Sequence, residues 1–446
     1  MSETGTKIFK DVACTMCGCV CDDLKLTIAD GRVVGVSPGC VLAEPWLLGQ
    51  STSDGPSCSI GGQAVSMDEA VEHAAGLLAG STSPLIYGLS GSSTPGQRSA
   101  VHLADRIGAC IDTTASTCHA PSIVALQGVG ESTCSLGEIR NRSDLVIYWG
   151  SNPSKSHPRH MERFVDAPGQ FVAGGRSARH VVVVDVKPSD SSELADTFIQ
   201  VEAGSDFEVL WALRGLVRGV PFDASSIGGV PRETLVDLAN RMKKCSYGAA
   251  FFGLGLTRHG IPHVNVDALL QLVTDLNRHT RFVVRRMRIP GDVAGADSVL
   301  CWQTGYPFSV NLNRTYPRYN PGEFTANDML ERHEVDAVVL VGTEGIEKLS
   351  DAARDWLGEI PSVVLDHAGT NSPVPGTVQF TTAIYGIHRP GTAYRMDETP
   401  IPLRKVLDSD LPADHEVLDA IIDQVHRPRT TTAEENQSGR SHHASD

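Results

Sequence analysis

The sequence predicts an α/β protein in which a small β-rich unit at the amino end precedes two larger units built on parallel sheets. Alternating apolar and polar residues behind a cysteine cluster predict the small unit. Strand-like runs alternating with helix-like runs from about Met67 predict the parallel sheets. Gly- and Ser-rich loops after several strands, "GLSGSSTPG" and "WGSNPSKS", lie where open α/β sheets bind their ligands.

Composition narrows the class further. The chain has 446 residues, enough for two to four domains as a prior, with 41% hydrophobic and 20% charged residues. It lacks the run of ~20 apolar residues a membrane-spanning helix needs, so no membrane partner is expected. A formal charge of −15 disfavours nucleic acid, whose phosphates require clustered Lys and Arg. The start "MSETGTKIFKDVAC" has no basic region followed by an apolar core, so a cytoplasmic address is expected. A reducing cytosol moves clustered thiols away from disulfides and toward metal binding or catalysis.

In chain order, "KLTIADGRVVGVSPGC" alternates around Asp30-Gly31 and predicts a hairpin with a tight turn. The run from Met67 reads as helix "MDEAVEHAAGLLAG", strand "PLIYGLSG", helix "GQRSAVHLADRIG", then strands "LVIYWG" and "HVVVVDVKP". Later segments, "YGAAFFGLGL", "VDALLQLVTDLNRHT", "RFVVRRM", "VDAVVLVGTEG" and "PSVVLDH", repeat buried strands and covering helices. The polar end, "HRPRTTTAEENQSGRSHHASD", is expected to be disordered.

Cys14, Cys17 and Cys21 form C-x2-C-x3-C, and a [4Fe–4S] cluster takes four thiolates, so a distant fourth cysteine is expected. Cys40 follows the hairpin, which brings it back beside the first loop, and is preferred over Cys58 in the "STSDGPSCSIGG" stretch. The alternative is a zinc ribbon using C-x2-C and two later cysteines, which Cys21 fits less well. Cys19 alternates with the ligand positions and reads as a packed thiol.

Cys118 and His119, in "STCHAPSIVALQG", sit where a loop opens a helix. A thiolate there can ligate a soft metal and a neighbouring imidazole can move protons; the competing reading is a packed Cys beside a capping His. The Gly-Ser-Asn-Pro turn after "LVIYWG" offers N–H groups to a phosphate, and an Asp at a strand end can hold a ribose or base.

Together these segments resemble the molybdopterin and tungstopterin bis-guanine-dinucleotide oxidoreductases. The order of the cysteine cluster, "WGSNP", "VVVVDVKP", "LADTFIQV" and "EAGSDFEVL" matches that superfamily, with Lys187 in place of the usual arginine and Ala203 in place of the usual proline. The chain is more similar still to the B subunits of formylmethanofuran dehydrogenase and of its bacterial formyltransferase/hydrolase relatives. "CTMCGCVCDDL", "TCHAPSIVALQG", "SLGEIRNRSDLVIYWGSNPSKSHPRHMERF", "CWQTGYPFSVNLNRTYPRYNPGEFTANDML" and "GTAYRMDETPIPLR" carry that likeness across nearly the whole chain.

The resemblance implies an iron–sulfur domain over 1–60, a discontinuous Rossmann-like α/β domain over 61–115 and 245–426, a Rossmann-like pterin-dinucleotide domain over 116–244, and a tail over 427–446. It implies a [4Fe–4S] cluster on Cys14, Cys17, Cys21 and Cys40, and a tungsten or molybdenum bis(molybdopterin guanine dinucleotide) ligated by Cys118. His119 would handle the proton and Arg288 would orient formate or CO2, as a guanidinium forks onto a carboxylate without losing its charge. A surface arginine among Arg285 and Arg286 is the competing reading of Arg288. Gly150, Asn152, Asp185, Lys187 and Asp206 would contact the dinucleotides, with Lys155, His157 and Arg159 near their phosphates.

The activity implied is reversible reduction of CO2 to formate in one-carbon metabolism such as methanogenesis. The partners implied are the other members of a multisubunit complex, namely an amidohydrolase-like protein and the C and D subunits, together with a ferredoxin-like electron carrier. The related single-chain enzymes add a C-terminal barrel over the second pterin, which a partner would supply here. The alternative is a non-catalytic organiser of a formyltransferase/hydrolase complex.

Overall fold

The computed structural model describes residues 5–52, 57–370 and 372–425, so the tail expected over 427–446 lies outside the described residues. Leu24–Ala29 and Arg32–Ser37 pair antiparallel across Asp30 and Gly31, which take φ of 49° and 69°. A two-residue hairpin turn needs that left-handed backbone, and Gly31 adopts it at no steric cost. Lys7–Val12 adds to the other edge of Leu24–Ala29, completing a three-stranded antiparallel sheet. Alternation turns Leu24, Leu26 and Ile28 inward, and the loop between the first two strands carries Cys14 to Cys21.

A second sheet has five parallel strands in the order Thr197–Gln200, His180–Asp185, Leu145–Trp149, Tyr247–Phe252, Arg281–Arg286. Both faces are covered, which is why these strands read as unbroken apolar runs rather than alternating ones. One face, with Val146, Tyr148, Val183 and Phe251, packs in the same core as the cysteine loop. The other, with Ile147, Val182 and Phe252, packs on the helices Asp206–Val217, Arg232–Lys244 and Pro262–Leu276. The strand order reverses between Leu145–Trp149 and Tyr247–Phe252. Loops leaving the carboxyl ends of those two strands therefore diverge and open a crevice.

The boundary expected at 244 cuts through this sheet. The expected division puts Tyr247–Phe252 and Arg281–Arg286 in the discontinuous domain, but their backbone ladders run to Leu145–Trp149 and to each other.

The third sheet has nine strands, in the order Arg318–Tyr319, Val310–Asn311, Cys110–Thr113, Pro84–Gly88, Ala337–Val341, Ser362–His367, Val378–Thr382, Cys58–Ile60, Gln63–Ala64. Its five central strands are parallel and its edges antiparallel. Cys58–Ile60, expected at the end of the first unit, pairs here instead. Met67–Gly80, which covers this sheet, is a helix over the span read from sequence, its start fixed by the Ser66 side chain accepting from the Glu69 N–H. The fold is thus mixed α/β with parallel sheets. Among the described residues no helix is long and apolar enough to cross a membrane.

Candidate functional site

The hairpin does bring Cys40 back to the first loop. Cys14, Cys17, Cys21 and Cys40 all line one small cavity of about 10 Å³, with Met16, Pro38, Leu42 and Arg159 among its other walls. Cys19 is fully buried and Cys58 lies in the nine-stranded sheet, its thiol donating to the Val65 carbonyl at 3.2 Å. Among the described residues no three His, Cys, Asp or Glu side chains converge on a single-ion site. Four soft donors around a common space are the set an iron–sulfur core takes, and the fit rests on that donor set rather than on the volume between the thiols. The loop is held by Cys14 N–H to Cys21 O at 2.9 Å and Val20 N–H to Cys17 O at 3.1 Å.

Burial pushes the Cys21 thiol up to about 11, against the pull of Arg163. Arg163 and Arg159 come from the segment that follows Leu145–Trp149. Arg159 forks onto Asp23 with both N–O distances at 2.8 Å, and Arg163 reaches Asp22 at 2.6 Å. Arg159 is therefore not among the residues facing the large crevice; the carboxylate close behind Cys21 claims its guanidinium.

That crevice, about 720 Å³, opens where the five-stranded sheet reverses order. Gly150, Asn152, Asp185, Lys187 and Asp206 all line it, as do Lys155 and His157. Gly150 takes φ of 55°, and a Cβ there would lie 2.8 Å from Leu256 N, so the loops 150–152 and 253–256 can meet only without a side chain. Asp206 accepts from the Trp149 indole at 2.7 Å, and Asn152 from the Ser191 hydroxyl at 2.6 Å. Burial holds Asp185 and Asp206 above the usual carboxylate range, fitting them to polar N–H or O–H partners. His157 donates Nε2–H to the Arg288 carbonyl at 2.9 Å, and burial lowers its pKa to about 4. Met16 and Leu42 line both cavities, so the thiol cage and the crevice share a wall.

Cys118 and His119 lie, as expected, at the mouth of the helix Ala120–Val129. Cys118 is buried, and burial raises its thiol against the opposing pull of Arg288 and then Lys348. His119 donates Nε2–H to the Met287 carbonyl at 3.0 Å, and burial lowers its pKa to about 3. Arg288 is 2% exposed, as is Arg285, while Arg286 is 7% exposed, which removes the surface reading. Its Nη2 pairs with Asp297, whose other oxygen accepts from the Thr113 hydroxyl at 2.8 Å. Its Nε is buried without a partner. Burial works against the charge, yet Asp297 and then Cys118 hold the guanidinium above its ordinary pKa.

Sequence reasoning missed Met16, Leu42, Asp297 and the opposite wall, Glu344 and Lys348. It also passed over Arg258 and His259, which line the crevice after "FFGLGL". That glycine-rich strand end carried the same signal as "WGSNP"; Asp297, by contrast, has no local mark.

No protein-family model matches the chain. It is 38% identical over 437 residues to the B subunit of tungsten-containing formylmethanofuran dehydrogenase 2 from Methanocaldococcus jannaschii, covering 94% of this chain and 99% of that one. It is 37% identical to the corresponding protein of Methanococcus maripaludis, again over 94% and 99%. Among solved structures, the formyltransferase/hydrolase complex FhcABCD of Methylorubrum extorquens, in complex with methylofuran, has a chain of like fold. The TM-score is 0.69 at 22% identity, covering 82% of this chain and 98% of that one. Near-full-length identity at this level makes this protein a member of the family of formylmethanofuran dehydrogenase B subunits.

Proposed function

We propose that the chain is the cytoplasmic redox component of a formylmethanofuran dehydrogenase-type complex and interconverts CO2 and formate, CO2 + H⁺ + 2e⁻ ⇌ HCOO⁻. The wall that Met16 and Leu42 share between thiol cage and crevice is the observation that carries this reading. When bound, a [4Fe–4S] cluster supplies single-electron transfer and a tungsten or molybdenum bis-pterin centre supplies the two-electron chemistry. Cys14, Cys17, Cys21 and Cys40 would hold the first group. Cys118 would hold the metal of the second, with Gly150, Asn152, Asp185, Lys187 and Asp206 on its dinucleotides.

The chain's own part is to bind, orient and handle the proton. Arg288 keeps its charge in a dry site and offers Nε–H to a carboxylate. His119 carries its proton on Nε2, so Nδ1 is the atom that takes one up, and its low pKa makes it return that proton readily. Formate would pass to an amidohydrolase-like partner, with the C and D subunits completing the assembly and a ferredoxin-like protein carrying electrons.

The likeness to the formyltransferase/hydrolase complex favours a second reading, a non-catalytic organiser. Purification of the complex without oxygen separates the two. Iron, sulfide, tungsten or molybdenum, and formate oxidation with an artificial dye are expected; a metal-free complex that still hydrolyses formyl groups would establish the organiser instead.

A further inference from the structure

We propose that Arg163 is a tuning residue for the thiol cage: its half-buried guanidinium, pinned by Asp22 next to Cys21 in the chain, brings positive charge up to the cage and raises the reduction potential of a cluster bound there. The proposal rests on the reading of the cage as a [4Fe–4S] site.

Formal charge at this latch is unfavourable to the idea, since Arg159 and Arg163 face Asp22, Asp23 and Glu162. Burial decides the balance. The guanidinium side chains are 6% and 16% exposed, whereas the three carboxylates are 42%, 41% and 61% exposed. Water screens the more exposed carboxylates from outside and reaches the guanidinium groups less. Arg159 lines the cage directly.

Arg163 also has a donor to spare. Its Nη2 goes to Asp22 at 2.6 Å and its Nε lies 3.8 Å from Asp23, while Nη1 is buried with no partner. A buried donor is costly to leave without a partner, so the position is explained if a sulfur of the cage accepts it. The guanidinium is fixed, stacked 5.3 Å from the Phe164 ring. Adding one electron puts further negative charge on a core already held by four thiolates. A fixed cation and an N–H to sulfur favour that reduced form.

The test is a redox titration of the whole complex, with dithionite supplying the electron and the reduced cluster followed by electron paramagnetic resonance. Arg163→Gln should keep its iron and shift the oxidised-to-reduced ratio at fixed poise roughly tenfold toward oxidised, about 59 mV for one electron. Arg163→Lys should stay near wild type, and Asp22→Asn should move the midpoint the other way by less. An iron-loaded Arg163→Gln complex with an unchanged midpoint overturns the proposal. If that variant loses iron, Asp22→Asn decides, and an unchanged midpoint there overturns it equally. Wild-type complex without iron would instead sink the cluster reading, and this inference with it.

Discussion

The Gly18 amide donates to the Arg288 carbonyl oxygen at 3.0 Å, and the same oxygen takes the Nε2–H of His157 at 2.9 Å. One peptide group thus joins the cysteine loop, the crevice wall and Arg288. A Cβ at residue 18 would be driven into that oxygen, which cannot move without dragging Arg288. Gly18→Ala should cost about 1–3 kcal/mol through overpacking and lower the iron content. Gly76→Ala, where a Cβ meets nothing within 4 Å, should stabilise by about 0.5–1 kcal/mol. Denaturation midpoints and an iron assay on both variants check the contrast.

Of Cys40 and Cys58, the two candidates for a fourth cluster ligand, only Cys40 lines the cage. Cys40→Ala should strip or destabilise the cluster, whereas Cys58→Ala should leave iron and sulfide at wild-type levels. Equal iron in both would remove Cys40 from the ligand set.

Cys118→Ala trades one buried sulfur for a methyl group and should leave assembly intact. Formate-dependent dye reduction should disappear. Turnover at the wild-type rate would take Cys118 out of the chemistry.

Asp297 fixes the Arg288 guanidinium while Thr113 fixes Asp297. Asp297→Asn keeps the shape and loses the charge, so formate affinity, read by calorimetry on the oxidised complex, should fall about tenfold, the equivalent of one charge-assisted hydrogen bond. Tighter binding would show that Asp297 merely offsets the arginine's charge.

Asp292 is fully buried, and burial raises its pKa to about 8, against the backbone N–H of Tyr394 and the amide of Gln97. The folded state therefore holds this proton more tightly than the unfolded chain does. Its contribution to stability is fully present below the ordinary carboxylate pKa and is lost as pH rises toward 8, at up to about 1.4 kcal/mol per pH unit. Denaturant titrations between pH 5 and pH 8, roughly the window those two values bound, should show a slope that Asp292→Asn flattens. A slope unchanged in the variant would assign it to other groups.

Local chemistry made much of this legible. Asp30-Gly31 forces its hairpin whatever surrounds it, the Val181–Val184 run can only be a strand covered on both faces, and the spacing of Cys14, Cys17 and Cys21 puts three thiols on one short loop. Arg159 was misplaced because a basic residue near a phosphate-type loop looks the same in sequence whichever anion claims it. Here Asp23, 136 residues away, does.

The chain order of motifs was enough for the family, the sheet-forming segments and the sulfur-rich loop, since each depends on neighbours within a few residues. Which strands share a sheet, where the crevice opens, and that Met16 and Leu42 stand between thiols and crevice depend on contacts between segments far apart in the chain. Those are set by packing: the five-stranded sheet buries one apolar face against the cysteine unit, and that burial brings Gly18 to Arg288.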